Sequence, residues 1–151
     1  IIQFELEGRR VLDLFAGTGQ LGLEALSRGA ERCTFVDQRR EAAALVRENV
    51  KLCRFEDRAR VAQEEALSFL SSCREKFDVV FLDPPYQSGL LEKSLETLTR
   101  FDILREYGII VCESGTEWTV PPLAPPYEAG REYRYGQIKL TVCHRAGSVK
   151  Q

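Results

Sequence analysis

The sequence has 151 residues, 44% of them hydrophobic, and a formal net charge of −2, values that suit one globular domain. This slightly acidic balance argues against a protein that coats nucleic acid through many phosphate contacts. No apolar run reaches the roughly 20 residues of a membrane helix. A single histidine and five dispersed cysteines offer no metal site. We therefore expect a cytoplasmic protein with reduced cysteines, no metal and no membrane contact.

The first half of the chain alternates predicted strands and helices. Residues 10–15 form an apolar strand, and residues 20–28 form a helix that Gly29 terminates. A second strand covers residues 32–37. The helix that follows, from about residue 39 to residue 53, has one apolar face made by Ala43, Val46, Val50 and Cys53.

The second half continues the alternation and then changes character. Residues 58–63 form a short third strand, and apolar residues at 66, 69, 70 and 73 mark a short helix. Residues 77–83 form a nearly continuous apolar strand, which is typical of parallel sheets. Leucines at 91, 95 and 98 mark the next helix, and residues 108–112 form a fifth strand. After a proline-rich loop, residues 133–135 and 138–143 are predicted to pair as a hairpin.

This order predicts an α/β fold with a mostly parallel sheet. In such sheets, ligands bind beyond the carboxyl ends of the strands. Asp13, Asp37 and Asp83 lie at or near the predicted ends of three strands. The sequence therefore predicts a binding site at this edge of the sheet, with several acidic groups.

A glycine-rich loop follows the first strand. Gly17, Gly19 and Gly22 fit the pattern G-x-G-x-x-G, and Asp37 lies 20 residues after Gly17. This spacing suits an acid that binds the ribose of a nucleotide cofactor. The motif alone does not distinguish a nicotinamide dinucleotide from S-adenosylmethionine.

Electrostatics favour S-adenosylmethionine as the cofactor. A dinucleotide would bring its pyrophosphate to the helix N-terminus, close to the carboxylate of Asp13. The ammonium and sulfonium groups of S-adenosylmethionine are complementary to that carboxylate. Asp37 can accept the hydrogen bonds of both ribose hydroxyls. Glu65 and Ala66, after the third strand, are placed near the adenine, although Glu64 or Glu65 could instead simply begin the next helix.

A second motif, Asp83-Pro84-Pro85-Tyr86, directly follows the fourth strand. Two prolines fix the backbone and remove two N–H donors, which leaves a rigid loop that mainly presents acceptors. An exocyclic amine offers two N–H donors, and these suit the Asp83 carboxylate and the Pro84 carbonyl. Tyr86 could stack on the base, a contact worth about 1–3 kcal/mol. The loop therefore predicts methyl transfer to the amine of a nucleic-acid base.

Residues 13–30, which read Asp-Leu-Phe-Ala-Gly-Thr-Gly-Gln-Leu-Gly-Leu-Glu-Ala-Leu-Ser-Arg-Gly-Ala, resemble the RsmD family of bacterial methyltransferases. The loop at residues 83–86 and the closing Tyr-Gly hairpin share this resemblance. The family implies a Rossmann-like, class I S-adenosylmethionine-dependent fold. Its seven-stranded, mostly parallel sheet ends in an antiparallel hairpin. The implied reaction is methylation of a guanine N2 in 16S ribosomal RNA.

The resemblance also implies site residues and a partner. S-adenosylmethionine is expected to contact Asp13, Phe15, Ala16, Gly17, Thr18, Gly19, Asp37, Gln38, Glu65 and Ala66. The base is expected to contact Asp83, Pro84, Pro85 and Tyr86. The expected partner is ribosomal RNA, free or within an assembling small ribosomal subunit, and the enzyme is expected to act as a monomer.

The sequence departs from the family pattern in two places. The acid after the third strand, usually aspartate, is Glu65 here. The basic segment that precedes the first strand in the family is absent, so we expect residues 1–151 to be one methyltransferase domain lacking a short N-terminal segment. Arg131, Arg134 and Lys139 on the hairpin are expected to be solvated, and contact with RNA phosphates is the alternative.

Three other functions account for part of the pattern. An adenine-N6 DNA methyltransferase shares the logic of the proline loop but normally needs a further recognition domain. A nicotinamide-dependent oxidoreductase explains the glycines and Asp37, but not Asp13 or residues 83–86. A non-catalytic RNA-binding module is disfavoured by the net charge of −2.

Overall fold

The computed structural model describes residues 4–86 and 88–147. Its strands are β1 (Arg10–Leu14), β2 (Arg32–Val36), β3 (Ala59–Ala62), β4 (Phe77–Leu82), β5 (Leu104–Gly115), β6 (Tyr127–Tyr135) and β7 (Ile138–Arg145). Its helices are α1 (Gln20–Ser27), α2 (Arg40–Leu52), α3 (Ala66–Ser72) and α4 (Leu90–Arg100). The strands form one seven-stranded sheet in the order β3-β2-β1-β4-β5-β7-β6.

The first five strands are parallel, and β7 inserts antiparallel between β5 and β6. This confirms the predicted sheet and its C-terminal hairpin. The chain moves outward from β1 to β3 and then returns to place β4 on the other side of β1. Loops leaving β1 and β4 therefore diverge at this point, and the crevice between them is the usual ligand site of such sheets.

Two apolar layers hold the helices against opposite faces of the sheet. Alternate residues of a strand point to opposite faces, so Val11 and Leu12 enter different layers. Side chains of α1 and α2, including Leu26 and Val46, pack in the layer that contains Val11. Side chains of α3 and α4 pack in the layer that contains Leu12.

The predicted bounds are wrong for β5 and β6, which are both longer than the sequence indicated. β5 begins at Leu104, and the next three residues are exposed, so the start of the strand shows no apolar pattern. The pairing of β5 with β4 also shifts register between Phe77 and Val79. Tyr107, within this irregular stretch, has a φ of 63°. β6 is an edge strand in which only Tyr127 is buried, so it shows no apolar alternation.

All five cysteines are free thiols, and three of them are buried. Among residues 4–86 and 88–147, no group of three or more His, Cys, Asp or Glu side chains is arranged so that it could hold a metal ion. In the same part of the chain, no helix is long and apolar enough to cross a bilayer.

Gly22 allows α1 to lie directly on β2. A Cβ added at Gly22 would lie 2.3 Å from Phe35 Cε1 and 2.6 Å from Cys33 Sγ, both in the buried layer. We expect Gly22→Ala to lower the free energy of unfolding by about 1–3 kcal/mol, the usual cost of overpacking. Urea unfolding measures the change, and Ser27→Ala on the exposed end of α1 is the matched control. Equal stability of Gly22→Ala and the wild type would contradict this packing.

Asp102 joins the turn after α4 to the C-terminal hairpin. Its carboxylate accepts hydrogen bonds from Arg145 Nε at 2.8 Å and Arg145 Nη2 at 3.1 Å, and from the Tyr127 hydroxyl. Lys76 Nζ lies 3.7 Å away. The Arg145 hydrogen bond is the main reason why the pKa of Asp102 falls to about 2, despite the opposing effect of burial.

This cluster predicts a pH-dependent contribution to stability. The pKa of Asp102 is about 3.9 in the unfolded chain and about 2 in the folded chain. The ionised carboxylate therefore stabilises the fold fully above the unfolded pKa. This contribution is lost as the pH falls through the folded pKa. Asp102→Asn should be less stable than the wild type at about pH 6 and closer to it at about pH 3. Urea unfolding at both pH values tests this, and an unchanged gap would contradict it.

Candidate active site

A cavity of about 780 Å³ opens at the carboxyl ends of β1, β2 and β4, at the crevice described above. The structure brings together there nearly all of the predicted site residues: Asp13, Phe15, Ala16, Gly17, Thr18, Asp37, Gln38, Glu65, Ala66, Asp83, Pro84, Pro85 and Tyr86. We call this cavity the nucleotide cleft. Its volume is in the range of sites for drug-sized ligands and cofactors.

The glycine-rich loop crosses from β1 to the end of β2. Phe15 has a φ of 68°, a left-handed conformation, and the next residue, Ala16, donates its N–H to the Val36 carbonyl at 2.9 Å. Gly17 has a φ of 59°, and a Cβ placed there would meet no atom within 4 Å. Gly17 is therefore favoured by the backbone conformation rather than by local crowding, and its open side is free for a ligand.

Gly19, which the motif predicts to contact the cofactor, also has a packing role. It is buried, and an added Cβ would lie 3.2 Å from the Val46 side chain and 3.4 Å from Phe35. This glycine therefore permits close packing of the loop on the apolar layer beneath it. The motif combines one glycine that leaves space at the cleft with two that allow the loop and α1 to pack.

Asp37 lies at the end of β2 and is 9% exposed. Its Oδ2 accepts the Gly17 N–H at 3.0 Å, and its Oδ1 accepts the Arg39 N–H at 2.9 Å and Arg39 Nε at 3.2 Å. Burial opposes ionisation, but these hydrogen bonds outweigh it and lower the pKa of Asp37. The carboxylate is therefore charged at neutral pH, fixes the glycine loop and faces the cleft, as a ribose-binding acid requires.

Asp13 lies deeper than the sequence argument assumed. It is 1% exposed, and its Oδ2 accepts the Gly22 N–H at 3.0 Å. Burial raises the pKa of Asp13 to about 8, and the charges of Asp83 and Asp37 contribute to this rise. The carboxyl is therefore mostly protonated at neutral pH, whereas the sequence argument gave it a negative charge. A cation bound in the cleft would favour its ionisation.

Glu65 is the N-cap of α3, an alternative that the sequence had left open. Its carboxylate accepts the N–H of Leu67 at 2.8 Å and of Ser68 at 3.1 Å. Ala66 follows as the first residue of the helix, and both residues line the nucleotide cleft. A ligand that reaches this end of the cleft therefore meets a side chain that is already held by the helix.

The Asp83–Tyr86 loop lies between the nucleotide cleft and a second cavity of about 1220 Å³, which we call the substrate cleft after the role that we propose for it. Pro84 is buried, while Tyr86 is 59% exposed. Both cavities are lined by Pro84, Pro85, Tyr86 and Glu113. A group bound in the substrate cleft therefore contacts the same short wall as a cofactor in the nucleotide cleft.

Glu113 is a site residue that the sequence analysis missed. Cys112 of β5 pairs with Leu82 of β4. Glu113 and Asp83 are the next residues along the chain after this pair, so Glu113 stands beside Asp83. Burial raises the pKa of Glu113 to about 7, and a hydrogen bond to the Asp83 carboxyl adds to the effect. Glu113 follows an apolar run as Asp83 does, so the strand-end rule that selected Asp83 could have found it.

The charged residues that line the nucleotide cleft are predominantly acids: Asp13, Glu24, Asp37, Glu64, Glu65, Asp83 and Glu113. Arg39 is the single basic residue among the described residues of its lining, and it is paired with Asp37. Such a lining favours a cationic ligand and disfavours a pyrophosphate. The acidic residues as a group, rather than Asp13 alone, distinguish the two cofactors.

The hairpin contributes less surface charge than the sequence suggested. Lys139, expected to be solvated, is 2% exposed, and its Nζ lies 3.4 Å from Glu132 Oε1. Arg131 and Arg134 are exposed on β6, as expected. Trp118 packs against the apolar layer of α4 and donates its Nε1–H to Glu92 Oε1 at 2.6 Å. Its contacts are therefore structural, although it also lines the substrate cleft.

Comparison with known proteins places the chain in a family. Residues 1–144 match the family model described as "Conserved hypothetical protein 95". YlbH of Bacillus subtilis is 35% identical over 144 residues, which are 93% of this chain and 78% of the relative. The protein named "Ribosomal RNA small subunit methyltransferase D" in Escherichia coli is 34% identical over 134 residues, 89% of this chain and 67% of the relative.

A solved structure supports the same assignment. The structure titled "conserved hypothetical protein" from Streptococcus pyogenes superposes with a TM-score of 0.85 at 34% identity, covering 92% of this chain and 87% of that one. A methyltransferase complexed with S-adenosylhomocysteine superposes with a TM-score of 0.73 at 18% identity, which establishes only the shared fold. The fold is that of the Rossmann-like S-adenosylmethionine-dependent methyltransferases, and the chain belongs to the RsmD family.

Proposed function

We propose that this chain transfers a methyl group from S-adenosylmethionine to the exocyclic N2 of a guanine in 16S ribosomal RNA. One observation carries the proposal: the Asp83–Tyr86 loop forms a common wall between the acidic nucleotide cleft and the substrate cleft. A nucleophile and a methyl donor must meet across a few ångströms, and this wall is where ligands of the two cavities would come together.

The residues of the nucleotide cleft fit S-adenosylmethionine. Asp37 would accept the hydrogen bonds of the ribose hydroxyls after Arg39, whose side chain is exposed, moves aside. Gly17 leaves open space beside the loop, and the acidic lining suits the ammonium and sulfonium groups. Ala66 and the neighbouring Glu65 would line the adenine end. When bound, S-adenosylmethionine supplies a methyl group bonded to a positively charged sulfur.

Asp83 and the proline loop would orient the amine. Asp83 presents a carboxylate, and neither Pro84 nor Pro85 has an N–H with which to compete for it. The Asp83 carboxylate and the Pro84 carbonyl would accept the two N–H groups of the amine, which directs the nitrogen lone pair toward the nucleotide cleft. Tyr86, exposed at the rim, would stack on the base. Asp83 would receive the proton that the nitrogen releases on becoming methylated.

The choice of RNA rests on the relatives. The Escherichia coli relative is named as a small-subunit ribosomal RNA methyltransferase, and so is a Haemophilus influenzae relative that is 36% identical over 117 residues. We infer that this chain acts on the same class of RNA in the cytoplasm, as a monomer, free or on an assembling small subunit. The acidic nucleotide cleft argues against the oxidoreductase alternative.

Mapping of ribosomal RNA methylation in vivo tests the proposal. Small-subunit RNA from a strain that lacks this gene should lose one N2-methylguanosine relative to the parent strain, as measured by nuclease digestion and mass spectrometry. A plasmid copy of the gene should restore the mark. An unchanged set of methylated nucleosides in the deletion strain would refute the proposed substrate.

A further inference from the structure

We propose that Glu113 is the residue that selects guanine, because its carboxylate accepts the N1–H that lies beside the N2 amine of the base. This inference rests on the proposed function and assigns the base specificity of the same site. It follows from the position of Glu113 between the two cavities and from the hydrogen-bonding groups around it.

The position of Glu113 matches the geometry of a base edge. Asp83 follows Leu82, the last residue of β4, and Glu113 follows Cys112, the partner of Leu82 on the adjacent parallel strand, so the two acids lie side by side. Neighbouring strands are about 4.8 Å apart, so two adjacent carboxyls can contact adjacent groups of one base. Glu113 lines both clefts, and Asp83 lines the nucleotide cleft.

The groups at this wall are acceptors for N–H donors. Asp83 and Glu113 offer carboxyl oxygens, and Pro84 and Pro85 offer carbonyls without N–H groups. Guanine presents two adjacent kinds of donor on its Watson–Crick edge, N1–H and the N2 amine. Adenine and cytosine present an amine beside a ring nitrogen that is an acceptor. An ionised Glu113 therefore attracts guanine and repels the other two bases at the same position.

Glu113 stands beside a second acid, which affects its protonation. Burial, followed by the neighbouring Asp83 carboxyl, raises the pKa of Glu113 to about 7, so N–H donors bound at the cleft would favour its ionised form. The titratable groups that face it are Asp83 and, at the rim, Tyr86. On binding guanine, Glu113 would release its proton to solvent, and its carboxylate would then accept the N1–H while Asp83 accepts an N–H of the amine.

The inference makes a prediction about the N1–H. A target nucleotide of 2-aminopurine keeps the amine at position 2 and the same sugar linkage, but its N1 is an acceptor and its C6 carries hydrogen in place of the carbonyl oxygen. Comparison of the wild type with Glu113 variants then assigns the part of the difference that arises at N1. It can be introduced into 16S RNA by splinted ligation and reconstituted into small subunits. Wild-type protein should methylate the guanine substrate at least about tenfold faster than the 2-aminopurine substrate, the discrimination expected of one good hydrogen-bonded pair to a base.

Replacing Glu113 by glutamine should remove this preference. The amide of Glu113→Gln can turn its N–H₂ toward the acceptor N1 of 2-aminopurine, so the ratio of the two rates should approach one. Glu113→Ala should give a similar ratio by losing the acceptor altogether, which keeps the test valid if either variant is unstable. Glu96→Gln, an exposed acid on α4, is the matched control and should keep the wild-type ratio.

The outcomes separate the two proposals. Loss of the preference in the Glu113 variants, with unchanged affinity for S-adenosylhomocysteine, would support guanine selection by Glu113. A wild-type ratio in both variants would overturn it while leaving the proposed function intact. Failure of the wild-type protein to methylate the guanine substrate would refute the proposed function itself.

Discussion

Replacing Asp83 by alanine should reduce methyl transfer at least about a hundredfold and change the affinity for S-adenosylhomocysteine by less than about threefold, since the loss concerns alignment of the amine. Asp83 stands at the wall shared by the two clefts and would accept an N–H of the amine. Without it, the nitrogen lone pair is no longer directed toward the methyl group. Single-turnover transfer to small subunits and titration calorimetry measure the two quantities separately.

A matched control distinguishes this effect from a general loss of acidic charge. Asp57 is exposed in the short turn before β3, remote in the fold from the proline loop, so Asp57→Ala should transfer methyl groups at the wild-type rate. Retention of more than about a tenth of wild-type turnover by Asp83→Ala would contradict its proposed contact with the amine.

Replacing Asp37 by alanine should weaken binding of S-adenosylmethionine by about 1–3 kcal/mol, or roughly 5- to 150-fold in the dissociation constant. Two losses combine in this variant. The ribose hydroxyls lose a charged acceptor, and Gly17 loses the bond of 3.0 Å that fixes the glycine loop. Titration calorimetry with S-adenosylmethionine and S-adenosylhomocysteine measures the change.

Two further variants test the assignment of Asp37 from opposite sides. Arg39→Ala removes the cation that pairs with Asp37 and should bind the cofactor no more weakly than the wild type. Glu41→Ala, in the exposed first turn of α2, should leave binding unchanged. Equal affinity of Asp37→Ala and the wild type would contradict ribose binding by Asp37, and preferential binding of NAD by the wild type would contradict the choice of cofactor.

The sequence predicted those parts of the fold that local patterns determine. Continuous apolar strands such as Phe77–Leu82, and helices with one apolar face such as Arg40–Leu52, have patterns that follow directly from their burial. β6 and the start of β5 escaped this reasoning because their residues are mostly exposed. Pairing with a neighbouring strand holds them in place, and no local pattern records such a partner.

Site residues were predictable where the backbone conformation or the sheet topology requires a particular residue type at a particular position. Gly17 and Asp83 follow from the loop conformation and from the rule that sites lie at strand ends. The protonation of Asp13 was not predictable, because it depends on complete burial beneath α1 and on the neighbouring carboxyls. The pairing of Glu113 with Asp83 likewise depends on the register of β4 and β5, which is a tertiary property.

Transfer of a labelled methyl group in a purified system tests the central claim most directly. Small ribosomal subunits from a strain that lacks this gene are incubated with the protein and S-adenosylmethionine carrying a trideuterated methyl group, and the digested RNA is analysed by mass spectrometry. We predict the label in N2-methylguanosine at a single position of 16S RNA. Label in N6-methyladenosine, or none in RNA under conditions where S-adenosylhomocysteine binds the protein, would contradict the account.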